Sequence, residues 1–432
     1  MDADLVAAAD GMSDVARPPG ACAPTVPLTP PFTLRLGPGV YAVALALLIF
    51  LGSDPVYPLL MRGPSEWVDE VPGLEGARRL VWFSMYAVMI GLLVAMRRWI
   101  VPALAPQWPV ALALAYFLLS ALWSSAPGGA VIGIVQYGFT VAFGMVIAVR
   151  IGPEGVLKAL FLASLVCAAA TAVFVALLPA YAFGMHYNTG ALRGVYLEKN
   201  HLAAFLSYGV CAGVFLAARR PTHAPTLAGL AVILALSILS VSSIALLQTA
   251  IAFAMLGYLL ALRRSRNRGL LLAALSLATL AALVMTLPAV LAALGEDMTL
   301  NGRTELWGRL WTFIERRPVF GYGYRGFWNS SQADGMRAFL GWPAHGAHNV
   351  WLQALLFGGA IGLTLWVACY VRVLGRIGAI LSRERDFAVL GMAVVGVVNL
   401  VWSLFETTQL AHFTQHAIVT GLVFALRTPQ FR

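Results

Sequence analysis

The stretch GAVIGIVQYGFTVAFGMVIAV, residues 129–149, holds no charged side chain over its whole length. A bilayer core of about 30 Å takes about 20 mainly apolar residues in a helix. The run is continuous, whereas a membrane barrel shows alternating segments of roughly 10 residues. Runs of this kind recur near 37–53, 80–96, 108–124, 156–178, 201–218, 225–240, 243–262, 269–291, 350–371, 387–404 and 411–427. The 432-residue chain is 60% hydrophobic and 11% charged, with a mean hydropathy of +0.81. These features predict an all-α polytopic membrane protein with about 12 transmembrane helices, several short enough to require tilt or local bilayer thinning.

The charge pattern orients this map. The first thirty residues lack a basic region followed by an apolar core and read as a tail, not a cleaved signal. With an even number of spans both termini share one side. Placing that side in the cytoplasm puts 18 of the 29 Lys and Arg inside and leaves 11 outside. The pairs Arg97-Arg98 and Arg219-Arg220 and the cluster RRSRNR (263–268) are the short-loop signals that the positive-inside rule weighs most. The net charge of +10 therefore serves topology, not nucleic-acid binding. The expected division is an inner tail at 1–36, spans 1–9 over 37–291, a long outer loop at 292–349, spans 10–12 over 350–427, and an inner terminus at 428–432. Cys167, Cys211 and Cys369 fall in apolar runs and Cys22 in the tail, which gives neither a disulfide framework nor a zinc site.

Two outer segments carry the unusual chemistry. Residues 179–200 end in RGVYLEKNH (193–201), where Arg193, Glu198, Lys199, Asn200 and His201 crowd the mouth of an apolar helix. Residues 292–349 form a loop far longer than a connector needs. Within it RTELWGRLWTFIERR (303–317) predicts an amphipathic helix with Leu306, Leu310 and Phe313 on one stripe, Trp307 and Trp311 beside it, and Asn301 or Thr304 as cap. Trp-rich helices of this type lie in membrane interfaces. GYGYRG (321–326) lacks the Lys-Ser/Thr of a phosphate loop, so its glycines are expected to set a tight turn.

His186, His201, His345, His348, His412 and His416 fall on or near the outer face, as do Arg193, Lys199 and Arg303. Single arginines at an interface commonly meet headgroups, but cations gathered beside aromatics suit an anionic lipid-linked ligand. Arg grips phosphate bidentately and Lys acts as a point charge. His348 opens a helix after a loop, and a neutral imidazole there can accept a proton near neutral pH. His412 and His416 have i, i+4 spacing, but only Glu406 offers a third ligand, so packing is the expected role.

The ordered set GVYLEKNHLAAF (194–205), NGRTELWGRL (301–310), RPVFGYGYRGFW (317–328) and HNVWLQALLFGGAIG (348–362) resembles the O-antigen ligase/polymerase superfamily of bacterial envelopes. The resemblance is strongest over roughly 190–372 and extends to the whole chain by topology. Many members carry a His-Lys-Asn run where this chain has Glu198-Lys199-Asn200 followed by His201, so no role is carried to residue 198. Within the superfamily the size and the single moderate late loop are similar to the ligases. The resemblance then implies transfer of polysaccharide from an undecaprenyl-pyrophosphate-linked O-antigen donor to a sugar hydroxyl of lipid A–core, at the periplasmic face of a Gram-negative inner membrane. It implies Arg193, Arg303 and Lys199 at the pyrophosphate and His348 as base, with His345 and Asn349 orienting it or binding sugar. No metal or cofactor is expected, since no Asp/Glu cluster of the Mg²⁺ type is evident, and direct displacement would invert the anomeric centre.

An O-antigen polymerase and a protein O-oligosaccharyltransferase are the alternatives within the same chemistry. A secondary transporter or flippase is the alternative of another class. Transporters place substrate groups near the midplane on interrupted helices, whereas the polar groups here gather at one face.

Overall fold

The computed structural model describes residues 37–56, 75–184, 190–264, 302–340, 344–411 and 414–427, with the isolated positions 267 and 274. In chain order the principal helices are α1 (Pro38–Leu51), α2 (Glu75–Ala95), α3 (Arg97–Leu104), α4 (Trp108–Leu119), α5 (Pro127–Leu177), α6 (Lys199–Arg219), α7 (Ala224–Leu239) and α8 (Ser243–Arg264). They are followed by α9 (Arg303–Ile314), α10 (Ser331–Leu340), α11 (Val350–Arg383), α12 (Phe387–Ser403) and α13 (Gln415–Phe424). The protein is an all-α polytopic membrane protein. Every expected span coincides with a described apolar helix except the one at 269–291, which lies outside the described residues. Large apolar side chains such as Phe83, Ile90, Leu122 and Ile132 are exposed, as lipid-facing surface requires.

Helix α6 is the hub. It packs against α5, α7, α8 and α12, and its residues from Leu202 to Phe215 are all buried. Its neighbours close around a polar seam as well as an apolar one. Tyr208 donates to Asn399 at 3.0 Å, Ser207 to Gln248 at 2.6 Å, and Tyr370 to Gln409 at 3.3 Å. Such bonds satisfy buried polar groups that would otherwise cost about 1–3 kcal/mol each.

Two long helices are broken at glycines. Helix α5 breaks at Gly152 (φ 71°, ψ 176°), just before Pro153, which divides it into the two spans expected from the sequence. Helix α11 breaks at Gly359 (φ 61°, ψ −159°). Backbone groups released by a break in a buried helix must be satisfied by protein, and here the 318–323 loop supplies the partners. Tyr322 N and Gly323 N donate to the carbonyls of Leu356 and Phe357, both at 2.9 Å, and Ala360 N donates to Pro318 O at 2.7 Å. Tyr116 Oη covers the Gly358 carbonyl at 2.7 Å. A Cβ at Gly359 would stand 2.2 Å from Val319 C and O, and one at Gly321 would stand 2.6 Å from Gly359 N. GYGYRG does form a tight turn, with φ of 64° at Gly321 and 81° at Gly323. Its glycines have a second purpose that the sequence does not announce, which is to let the loop backbone reach a broken helix.

Helix α9 starts at Arg303 behind Gly302, whose φ is 79°. The N-cap position is Gly302 itself; Thr304 stands inside the helix, and Asn301 lies outside the described residues. Leu306 and Leu310 are buried as the stripe requires, and the helix packs on α11. Trp311 is exposed, while Trp307 is drawn inward.

Candidate active site

The residues that meet at one end of the helix bundle come from segments far apart in sequence. Glu406 follows α12 and is reached from two sides. Arg303 Nη2, at the first turn of α9, donates to Glu406 Oε1 at 2.9 Å. His348 Nδ1, two residues before α11, lies 3.1 Å from Glu406 Oε2. The side chains of Arg303, Glu406 and His348 are 15%, 14% and 29% exposed, so the cluster is sheltered but His348 still reaches the surface. Burial opposes ionisation of Glu406. The hydrogen bond from His348 and the charges of His348, Arg303 and His201 outweigh it and hold the carboxyl below its ordinary pKa. Glu406 is therefore an anion at neutral pH, and it fixes the His348 tautomer. An Nδ1–H donated to the carboxylate leaves the lone pair on Nε2.

The loop carrying His348 is held rigidly. His348 has φ 46°, a left-handed conformation that costs a non-glycine residue about 1–3 kcal/mol, so its surroundings must hold it there. Trp307 Nε1 donates to Ala347 O at 2.8 Å. Gln353 Oε1 accepts from Ala347 N at 3.0 Å and from Trp328 Nε1 at 3.1 Å. Arg337 donates to Ala344 O at 2.9 Å and to Trp328 O at 2.8 Å. At Gly346 a Cβ would stand 2.6 Å from Thr407 Oγ1, so the loop packs directly on the segment bearing Glu406.

The residues expected at the site take different positions. Arg303 and His348 are brought together. Lys199 is the first residue of α6, half-buried, with exposed His201 two positions on, and the field of His201 reaches Glu406. His345 is exposed on the rim of the 344–349 loop.

Two of the expected residues spend their polar groups on backbone. Arg193 is 1% exposed, and its guanidinium donates to the carbonyls of Tyr181 (3.0 Å), Leu197 (3.3 Å) and Ala180 (3.4 Å). It ties the Pro179–Ala182 turn to Leu197. Asn349 is the N-cap of α11, with Oδ1 accepting from Trp351 N and Leu352 N at 2.9 and 3.0 Å and Nδ2 donating to Leu404 O at 3.1 Å. Its amide oxygen and one amide N–H are engaged with backbone, which suits the orienting alternative of its two expected roles. His416 is buried and stacked on Trp402 at 5.3 Å, in keeping with a packing role, whereas His412 and His186 lie outside the described residues.

Glu406, Trp307, Gln353 and Arg337 were not singled out as site residues from the sequence. The available signal was one acidic residue directly after an apolar span, which had been weighed only as a metal ligand. Its partners are 58 and 103 residues away, and no local pattern reveals such a pairing.

Residues 227–367 match the family described as O-antigen ligase. Arg303, His345, His348 and Asn349 fall inside that match, while Arg193, Lys199 and Glu406 fall outside it. The chain is also similar to the exopolysaccharide production protein ExoQ of Rhizobium meliloti (strain 1021), with 28% identity over 242 residues, 51% of this chain and 56% of the relative. The chain thus spans just over half the length of this curated relative. The chain is thus similar to the O-antigen ligase family over about a third of its length, a stretch that includes Arg303 and His348.

Proposed function

We propose that the chain is an O-antigen ligase that transfers polysaccharide from undecaprenyl pyrophosphate to a sugar hydroxyl of lipid A–core, at the periplasmic face of the inner membrane. The observation that carries this reading is one ionised carboxylate, Glu406, bonded both to a histidine and to an arginine at the mouth of the bundle. An acceptor sugar hydroxyl is neutral and needs a base, and His348 Nε2 is suited to that role because Nδ1 is oriented by Glu406. The hydroxyl oxygen attacks the anomeric carbon and its proton passes to His348. The bond to the phosphate oxygen breaks, and its electron pair leaves with undecaprenyl pyrophosphate. Glu406 stabilises the imidazolium so formed. Attack opposite the leaving group inverts the anomeric centre.

Charge builds on the leaving pyrophosphate, and fixed cations stabilise it. Arg303 spends one nitrogen on Glu406 and has further N–H donors to offer. Lys199, at the positive N-terminus of a buried helix, is the second cation. His345, on the rim, is placed to bind sugar. Arg193 and Asn349 hold the two loops in shape.

A second reading is favoured by the printed name of the relative, exopolysaccharide production protein. In it the same chemistry joins lipid-linked repeat units to one another. Deleting the gene and analysing envelope glycans separates the two. Loss of the polysaccharide ladder from lipid A–core, with long polymer accumulating on undecaprenyl pyrophosphate, supports the ligase. Absence of long polymer, with single units still reaching the core, supports the polymerase. An unchanged glycan profile overturns both.

A further inference from the structure

The opposite end of α11 holds a second concentration of charge that the proposed reaction does not use. Arg372 and Arg376 stand 24–28 residues after His348, beyond the break at Gly359 and toward the far end of α11. Arg372 Nη2 donates to Pro106 O at 2.8 Å. Arg376 Nη1 donates to Gln107 Oε1 at 3.2 Å and to Phe424 O at 3.0 Å. Arg427, just past α13, donates to Pro102 O. Three guanidinium groups thus close on residues 102–107, the end of α3 and the turn into α4, and Arg376 lies in the repulsive field of the other two.

Among the described residues, none of the three has a carboxylate within ion-pair distance. Glu384 lines the same cavity as Arg427 without pairing with any of the three arginines, its Oε1 accepting from Arg385 N and Asp386 N. Two donors in this group are left without acceptors. Gln107 is 4% exposed and its Nε2 has no partner, and Arg372 Nε is buried and likewise unpaired. Arg372 and Arg376 are half-buried and Arg427 is exposed; like charges held together beside two unpaired buried donors are unfavourable by themselves, and an anion remedies both faults. Next to it is a cavity of about 330 Å³, lined by Arg427 and by Trp99, Val156, Met392 and Leu422 among others. Its mainly apolar walls suit a hydrocarbon chain.

We propose that Arg372, Arg376, Arg427 and Gln107 form a binding site for a phosphate ester, the headgroup phosphate of an anionic phospholipid whose acyl chain enters the adjoining cavity. Basic pockets between membrane helices are suited to such headgroups. The site lies at the membrane face opposite His348 and acts on stability, by bracing the α3–α4 turn against α11 and α13.

The test is thermal unfolding of the purified full chain in neutral detergent, with phosphatidylglycerol, phosphatidylcholine or inorganic phosphate added. Phosphatidylglycerol is expected to raise Tm by about 2–4 °C over phosphatidylcholine. Arg372→Gln is expected to lose most of that response. Gln107→Glu, which places a carboxylate among the arginines, is expected to raise Tm in phosphatidylcholine and abolish the response, so the test does not depend on a destabilised variant. A full shift with inorganic phosphate alone supports the anion site and overturns the lipid as its occupant. Equal Tm in all three additives, or a wild-type response in both variants, overturns the site.

Discussion

Replacing Glu406 by glutamine removes one charge while keeping the side-chain shape, and its effect can be worked from two distances. The carboxylate accepts from Arg303 at 2.9 Å and meets His348 Nδ1 at 3.1 Å. A hydrogen bond to a charged group contributes about 1.5–3 kcal/mol and a neutral one about 0.5–1.5 kcal/mol. Each contact therefore weakens by about 1–1.5 kcal/mol, and solvent reaching side chains that are 14–29% exposed moves the figure toward the lower end. The carboxylate stabilises an imidazolium that exists only once the proton has moved, so the His348 share of this loss falls on the transition state. At tenfold per 1.4 kcal/mol, the transfer rate is expected to fall about 5–10-fold. Single-turnover transfer by purified protein, alongside Tm, reads both parts. Glu406→Asp should recover part of the rate, because it restores the charge at a shorter reach. A double-mutant cycle with Arg303→Gln should show non-additivity. A glutamine variant with wild-type rate and wild-type Tm would refute the reasoning. A rate loss matched by a gross fall in Tm would reduce Glu406 to a structural tie.

Other expectations follow from the same geometry. Gly359→Ala forces a Cβ to within 2.2 Å of Val319 and onto a φ of 61°; displacing the loop from the helix break should cost about 2–5 kcal/mol, seen as lower Tm and yield. Asn349→Ala removes the cap of α11 and should cost about 0.5–2 kcal/mol, whereas Asn349→Ser should recover most of it; equal loss of transfer in both, with stability unchanged, would restore the sugar-binding role. Arg193→Ala should lower stability, while the protein that still folds binds donor normally; a selective loss of donor affinity would return Arg193 to the pyrophosphate. The depressed pKa of Glu406 makes its stabilisation fully present above the unfolded carboxyl value of 4.5 and lost as pH falls through the lower folded value. The Glu406→Gln protein should therefore show a flatter Tm profile below about pH 4.5 than the wild type.

What could be read from the sequence was what is written locally. Apolar runs name their own spans, and Gly152-Pro153 divides one run from the next. The Trp307 stripe names α9. The cap role of Asn349 is also legible, since Asn before an apolar run is a helix-start signal, and it accords with the expectation that Asn349 orients the base or binds sugar. Other features depend on contacts between distant segments. Nothing near Gly359 says that α11 breaks there, because the partners that make the break tolerable come from the 318–323 loop. Nothing near Arg193 says that three carbonyls surround it, since the turn at Pro179–Ala182 supplies two of them. Glu406 became visible only once α9, α11 and the segment after α12 had been brought together.

The central claim is that His348, set by Glu406, takes the acceptor proton. The most direct measurement is single-turnover transfer from an undecaprenyl-pyrophosphate-linked glycan to lipid A–core by purified wild type and His348→Gln, with donor binding measured on the same preparations. The account predicts a loss of about 10²–10⁴-fold in the transfer step, with donor affinity and Tm close to wild type. Near-normal transfer by the variant would contradict it.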